Sequence, residues 1–204
     1  MKKAFALVVL IVTPTMAFAQ GTVIFQNNSA GLVTAYPALP KSGASVELIA
    51  APHGTSLPNP LGTYVPQDML LHFIPDYSSL SGFLAANPGW VSVATTGIAV
   101  SAGLFSGGEQ TIASIAPGAN ADYIVIGWTG SYASFDVAFA ANAFLGESAL
   151  LTTATGNPTL TPPSTPVNLN TTFTGITLAP TPELASFALA GLGALMLMFF
   201  RRRR

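Results

Sequence analysis

The residues best suited to chemistry form a short series of two acids and one histidine. Asp68, His72 and Asp76 recur at intervals of four, so on a continuous helix they would share one face. Two carboxylates and an imidazole can bind Zn²⁺ or serve a hydrolytic water. Pro75 interrupts a helix here, and the alternative is a solvated, irregular loop. These three residues remain the only metal candidates, and we expect neither a resident metal nor a cofactor.

Other catalytic arrangements find little support. The chain has no cysteine, which excludes thiolate metal sites and a cysteine nucleophile. His53, between a proline and a glycine, is expected to be an exposed turn residue. The fragment Gly146-Glu147-Ser148 lacks the second glycine of a nucleophile elbow. The scattered acids select no pair for glycoside hydrolysis. We therefore assign no catalytic residue and expect a protein that is not an enzyme, with a secreted hydrolase as the less favoured alternative.

Aromatic side chains suggest a binding function. Trp90, Trp128, Tyr123 and Tyr132 could form a platform on which sugar rings stack. Alternation along a strand places Trp128 on the same face as Ile126, so we expect Trp128 in the core. Trp90 stands at the entrance of a predicted strand and is the candidate ligand-facing aromatic. A carbohydrate-binding module is therefore an alternative function.

The charges are distributed unevenly along the chain. Between Gln20 and Pro180 the only base is Lys41, against seven acids, which gives a net charge near −6. Phosphate binding requires clustered Lys and Arg, so we expect no nucleic-acid partner. The other six bases lie at the two ends of the chain.

The N-terminal end has the three parts of a secretory signal peptide. Lys2 and Lys3 form a positive region, and residues 4–12 are apolar. Ala17-Phe18-Ala19 is a small-residue cleavage site, so we expect signal peptidase to cut before Gln20. The alternative is a buried N-terminal helix.

The C-terminal end is predicted to cross a membrane. Residues 184–200 are a run of seventeen uncharged residues, which in a helix would span about 25 Å. Four arginines follow at once and would hold that end in the cytoplasm: Arg201, Arg202, Arg203 and Arg204. The alternative is a hydrophobic helix of the core.

The apolar span is preceded by Pro182-Glu183-Leu184. Pro-Glu, a short apolar span and a terminal arginine cluster together resemble the PEP-CTERM sorting signal of Gram-negative bacteria. The third position departs from that family, which has Pro-Glu-Pro. The resemblance implies recognition by an exosortase, cleavage near Pro182-Glu183, and association with exopolysaccharide and the outer envelope. Both cleavage and permanent anchoring remain open.

The exported part is predicted to be mainly β. Short β-rich segments alternate with Gly, Pro and Asn turns, which indicates an antiparallel β-sandwich of about seven or eight strands. The predicted strands are residues 21–26, 44–50, 89–95, 98–105, 110–115, 122–128, 148–153 and 171–178. Residues 68–73 and 77–87 are predicted as short helical turns, and residues 131–143 as a helix. The segments around residues 103–108, 115–118 and 128–132 are similar to PEP-CTERM ectodomains, which implies the same sandwich.

The predicted organisation has seven parts. They are a signal peptide (1–19), a sandwich core (20–156), a Pro/Thr-rich loop (157–170), a final strand (171–178), a linker with the Pro-Glu motif (179–183), a transmembrane helix (184–200) and a cytoplasmic arginine cluster (201–204). We expect an exported, non-enzymatic envelope or matrix protein. It would be anchored in the inner membrane before processing and lie at the cell surface or outside afterwards.

Overall fold

The computed structural model describes residues 20–35, 43–67, 70–98 and 103–181. Within these ranges the chain is mainly β, with several sheets and two short α-helices, as predicted. The predicted signal peptide, Asp68 and everything from Pro182 to Arg204 lie outside them. Among the described residues, no helix is long and apolar enough to span a bilayer.

The central sheet, Sheet II, is built on two long antiparallel strands, β3 (Ala44–Pro52) and β8 (Asn120–Thr129). Its remaining strands are β6 (Val91–Gly97), β9 (Leu145–Glu147) and β10 (Leu151–Ala154). β3 and β8 are buried along nearly their whole length. A strand covered on both faces favours a continuous apolar run. β8 provides one from Tyr123 to Trp128, whereas the run of β3 begins only after Glu47, a buried acid.

Sheet I covers one face of Sheet II. It consists of β1 (Gly21–Gln26), β7 (Ser106–Ile112) and β11 (Val167–Asn168). One hydrophobic cluster includes residues of both sheets: Val23, Phe25 and Ile112 with Val46, Leu48, Tyr123 and Val125. β11 runs parallel to β1, a pairing that the predicted antiparallel arrangement did not include.

A second layer covers the other face of Sheet II. It consists of the antiparallel hairpin β4 (Gly62–Gln67) and β5 (Leu70–Pro75) and the helices α1 (Leu80–Ala86) and α2 (Phe135–Ala140). The cluster between them includes Leu61, Phe73, Phe83, Phe135, Ile124, Ile126 and Trp128. Fully burying one such side chain contributes about 1.5–3 kcal/mol, so this layer is part of the stable core.

Both helices begin at a serine. The hydroxyl of Ser79 accepts a hydrogen bond from the backbone N–H of Gly82, and that of Ser134 from Val137, at 3.1 and 3.4 Å. Serine satisfies the free N–H groups of a first turn and so determines where a helix starts. The helices lie inside the predicted segments 77–87 and 131–143 and are shorter than them.

The last described strand lies inside the fold. β12 (Ile176–Leu178) runs parallel to β2 (Val33–Ala35). Ala179 exchanges two backbone hydrogen bonds of 2.9 Å with Leu145, and the carbonyl of Pro180 accepts one of 3.1 Å from Phe73. Ala179 is fully buried. The ordered domain therefore continues through Pro180, into the predicted linker.

Three predicted elements were wrong. Only Ile176–Leu178 of the predicted strand 171–178 is a strand, because a 3-10 helix (Leu169–Thr171) and a loop precede it. Residues 70–75 form strand β5 and not a helical turn, because they pair in register with β4. The predicted strand 98–105 is not a single strand, since Ile98 and Phe105 form an antiparallel bridge with each other. Gly103, two residues before Phe105, has a φ of +76°, which favours glycine.

Candidate functional site

His72 and Asp76, two of the three predicted metal candidates, do not lie on one face of a helix. His72 lies on β5 and Asp76 directly after it, so the four-residue interval spans roughly 13 Å of strand and not one turn of helix. Asp68 lies outside the described residues. In the part of the chain that the structure describes, no group of three His, Cys, Asp or Glu side chains could hold a metal ion.

Neither tryptophan offers an open ring to a ligand. Trp90, predicted to face a ligand, is only 3% exposed, and its indole N–H donates to the carbonyl of Ser56 at 3.1 Å. Gly89, at a φ of +97°, lies at the turn that brings Trp90 into the second-layer cluster. Trp128 is fully buried, which confirms its predicted core position.

An open groove of about 500 Å³ lies beside β2, β12 and the β4–β5 hairpin. Its lining combines Glu147 with hydroxyl-bearing side chains and apolar ones: Ser29, Thr34, Tyr64, Thr174 and Thr177, with Ala30, Leu32, Leu71 and Ile176. We call it the Glu147 groove. Mixed polar and apolar walls of this kind suit a small organic ligand.

Tyr64 of β4 joins the strands around this groove. Its hydroxyl donates a hydrogen bond of 2.6 Å to the backbone carbonyl of Thr177 and accepts one of 3.1 Å from the backbone N–H of Glu147. Burial raises the pKa of Tyr64 to about 12, so the phenol stays neutral. Tyr64 therefore holds β4, β9 and β12 together as an uncharged bridge.

The carboxyl group of Glu147 is tied to the start of the same hairpin. It accepts hydrogen bonds from the backbone N–H groups of Leu61, at 2.9 Å, and Gly62. Burial is the main cause that raises the pKa of Glu147 to about 7, and Asp76 adds to it, against the lowering effect of these two bonds. The groove thus contains an acid that changes its charge near neutral pH.

A second buried acid, Glu47, lies in the same cross-strand row. Glu47 pairs with Ile126 and Ile126 pairs with Glu147, so all three side chains share one face of Sheet II, with roughly 10 Å between the outer two strands. Glu47 accepts a hydrogen bond of 2.5 Å from the Ser92 hydroxyl, and burial raises its pKa. Fully buried Ile126 stands between the two acids. The pair therefore leaves no open space for a glycosidic bond.

An imidazole–carboxylate pair lies at one end of Sheet II. Nδ1 of His53 is 2.9 Å from Oδ1 of Asp122, which also accepts a hydrogen bond of 2.6 Å from the Thr152 hydroxyl. Oδ2 of Asp122 accepts from the Gly54 N–H at 2.9 Å. Burial would raise the pKa of Asp122, but the hydrogen bonds together lower it.

This pair orients the ring of His53 but does not complete a triad. The His53 side chain is 54% exposed, in agreement with its predicted turn position. A triad also needs a nucleophile beside Nε2, and among the described residues no hydroxyl bonds to that atom. Sequence reasoning missed the pair. The pairing register of β3 and β8 would have revealed it, because this register places Asp122 opposite Ala51, two positions from His53.

Comparison with protein-family models, with curated proteins and with solved structures finds no match for this chain.

Proposed function

We propose that this chain is an exported cell-envelope or extracellular-matrix protein with a β-sandwich ectodomain and a PEP-CTERM-like sorting tail, and that it is not an enzyme. One observation carries the proposal. Strand β1 begins at Gly21, one residue after the predicted cleavage point before Gln20. The carbonyl of Pro180, two residues before the Pro182-Glu183 motif, accepts a backbone hydrogen bond from Phe73. Cleavage at both predicted sites would thus leave β1 and the Pro180 contact intact.

The packing of the domain supports the sandwich. Sheets I and II share one hydrophobic cluster, which includes Phe25 and Ile112 on one side and Leu48 and Val125 on the other. The domain has no cysteine to form a disulfide, so this core must hold it together outside the cell.

The short connection to the tail determines where the domain lies before processing. Only residues 181–183 separate Pro180 from the predicted span, residues 184–200, and three residues reach at most about 10 Å. The unprocessed protein would therefore hold its domain against the outer face of the inner membrane. Signal peptidase and an exosortase are the proposed processing partners, and exopolysaccharide is the proposed partner at the cell surface.

Mass spectrometry of both termini of the protein from its native envelope tests this proposal. We expect an N-terminus at Gln20 and a C-terminus near Pro182-Glu183. A paired substitution, Pro182→Ala with Glu183→Ala, should leave the tail attached, whereas Thr181→Ala should be processed normally. An intact C-terminus in wild-type protein from the membrane fraction would favour a permanent anchor. Unprocessed chains with Met1 in the cytoplasm would overturn the proposal.

A carbohydrate-binding module is the second candidate function. The observation that favours it is the Glu147 groove, whose hydroxyl-bearing walls can exchange hydrogen bonds with sugar hydroxyls. Trp90 has no part in it, because that ring is buried. A glycan array probed with the purified protein tests this function, and an array without any bound glycan would remove it.

A further inference from the structure

We propose that the Glu147 groove binds an amino sugar, that is, a small polyhydroxylated primary ammonium compound, with the carboxylate of Glu147 as its counter-ion. This inference rests on the second candidate function and specifies its ligand class. The groove, its single carboxyl group and the charge of the surrounding domain carry it.

The charge of the domain favours a cation. The described residues include six acids and no lysine or arginine: the acids are Glu47, Asp76, Glu109, Asp122, Asp136 and Glu147. Glu47 and Asp122 are buried, whereas Asp76 and Glu109 are exposed, so the described surface carries few charges and all of them are acidic. Glu147 is the only charged residue that lines the groove, and its carboxylate would repel an anionic sugar or a phosphate ester.

Glu147 has acceptor capacity left for a ligand. An ionised carboxylate has about four acceptor sites, and the N–H groups of Leu61 and Gly62 account for two hydrogen bonds. The described part of the chain contains no lysine or arginine to neutralise it. An ammonium group in the groove would supply that charge through a charge-assisted hydrogen bond.

The protonation of Glu147 links ligand binding to pH. The titratable groups on the surrounding elements are Tyr64 on β4, His72 on β5, Asp76 after β5 and Glu47 on β3. Burial and then Asp76 raise the pKa of Glu147 to about 7, so part of the population is neutral at physiological pH. A bound ammonium would favour the ionised form, and binding below pH 7 would therefore release a proton.

The other walls suit a sugar ring. The hydroxyls of Thr34 and Thr177 lie 3.2 Å apart and line the groove beside Thr174, where they can bond to ring hydroxyls. Leu32 and Leu71, which are half-buried, offer apolar contacts to the C–H face of a ring. A volume of about 500 Å³ admits a ligand of this size.

The test is isothermal titration calorimetry on the full chain in detergent, with 6-amino-6-deoxyglucose and glucose as matched ligands. The alkylammonium group of 6-amino-6-deoxyglucose should stay charged up to about pH 9. We expect the amine to bind at least tenfold more tightly than glucose at pH 8, and to lose at least fivefold in affinity at pH 5.5. Ethanolamine, which has the charge without the ring, should bind at least tenfold more weakly than the amino sugar.

Two variants separate the groove from the overall charge. Glu147→Gln should abolish the preference for the amine, whereas Glu109→Gln, which removes an exposed acid on β7, should retain it. Because Glu147→Gln could perturb folding, a second measurement uses the wild-type protein alone. Carboxyl ¹³C NMR should show the pKa of Glu147 falling by at least one unit when the amino sugar is bound.

The outcomes distinguish recognition of the ammonium group from sugar binding in general. Equal affinity for glucose and the amine, or an unchanged Glu147 titration, would overturn the ammonium ligand and leave sugar binding in place. If ethanolamine bound as tightly as the amino sugar, the proposal that the groove recognises a sugar ring would be overturned. If neither sugar bound, the ligand proposal would fall together with the groove's binding function, while export and sorting would still rest on the mass spectrometry.

Discussion

The hydroxyl of Tyr64 donates a hydrogen bond of 2.6 Å to the backbone carbonyl of Thr177, 113 positions further along the chain. The same oxygen accepts from the N–H of Glu147. One side chain thus joins the β4–β5 hairpin to β9 and to the last strand of the domain. Both residues of this contact, Tyr64 and Thr177, line the Glu147 groove.

Replacing Tyr64 by Phe should destabilise the domain. The carbonyl of Thr177 and the N–H of Glu147 would lose their partner, and each unsatisfied buried group costs about 1–3 kcal/mol. We expect a loss of about 2–4 kcal/mol in the free energy of unfolding, measured by urea denaturation. Tyr77→Phe is the control, because the Tyr77 ring packs edge-on against Phe83. A loss below 1 kcal/mol for Tyr64→Phe would contradict this role.

Gly146→Ala should disturb the same contact from the other side. A β-carbon at Gly146 would lie 2.7 Å from the Tyr64 hydroxyl and closer still to the Thr177 carbonyl oxygen. Since backbone cannot move aside cheaply, we expect a lower unfolding midpoint and new amide chemical shifts in β4 and β12. At Gly97 a β-carbon would lie 3.9 Å from its nearest neighbour, so Gly97→Ala should leave both unchanged.

The pKa of Glu147 makes stability depend on pH. Because this pKa is raised to about 7, the folded state holds a proton that the unfolded chain releases near pH 4.5. The free energy of unfolding should therefore fall as pH rises from 4.5 to 7, by up to about 3 kcal/mol. Urea denaturation across this range should show a smaller slope for Glu147→Gln. Glu47, whose pKa is also raised, should account for what remains. An identical slope in both proteins would contradict the assignment.

Asp122 should contribute stability with the opposite dependence on pH. Its pKa is lowered from 3.8, so its contribution is present above that pH and is lost as pH falls below it. Asp122→Asn replaces one carboxylate oxygen by an NH₂ donor, although His53, Gly54 and Thr152 all donate to this carboxylate. The substitution should lower the free energy of unfolding by about 1–3 kcal/mol at pH 7. His53→Ala should cost less than about 1 kcal/mol, because exposed pairs contribute little. Equal losses in the two variants would contradict this division.

The folded domain should tolerate loss of the tail but not of β12. A chain ending at Thr181 keeps every hydrogen bond of Ala179 and Pro180 and should unfold cooperatively. A chain ending at Gly175 loses the buried side chains of Ile176 and Leu178, at about 1.5–3 kcal/mol each. Near-ultraviolet circular dichroism should show native packing only for the longer chain. Native packing in the shorter chain would mean that β12 is dispensable.

Sequence patterns were sufficient where a strand carries its own signal. Residues 21–26 and 122–128 were predicted as strands and correspond to β1 (Gly21–Gln26) and β8 (Asn120–Thr129). Alternation along β8 also placed Trp128 correctly in the core. These assignments succeeded because runs of β-branched and aromatic residues favour a pleated, buried surface whatever lies opposite.

Residue spacing misled where a partner strand decides the conformation. Asp68, His72 and Asp76 have the interval of a helical face, but residues 70–75 pair with β4 and are extended. Trp90 followed a turn and was predicted to face a ligand, yet it packs into a cluster whose members come from distant segments. A sequence pattern reports local preference, whereas non-local contacts select among the local alternatives.

The sequence by itself determined the composition of residues 20–180, their acidity, their lack of cysteine, their β-rich character and the predicted signals at both ends of the chain. Only the tertiary structure decided which polar groups meet. It brought His53 to Asp122, Glu47 into one row with Glu147, and Tyr64 to Thr177. The physical reason is that strand register and layer packing depend on contacts between segments far apart in the chain, and a shift of one residue would turn each of these side chains to the opposite face.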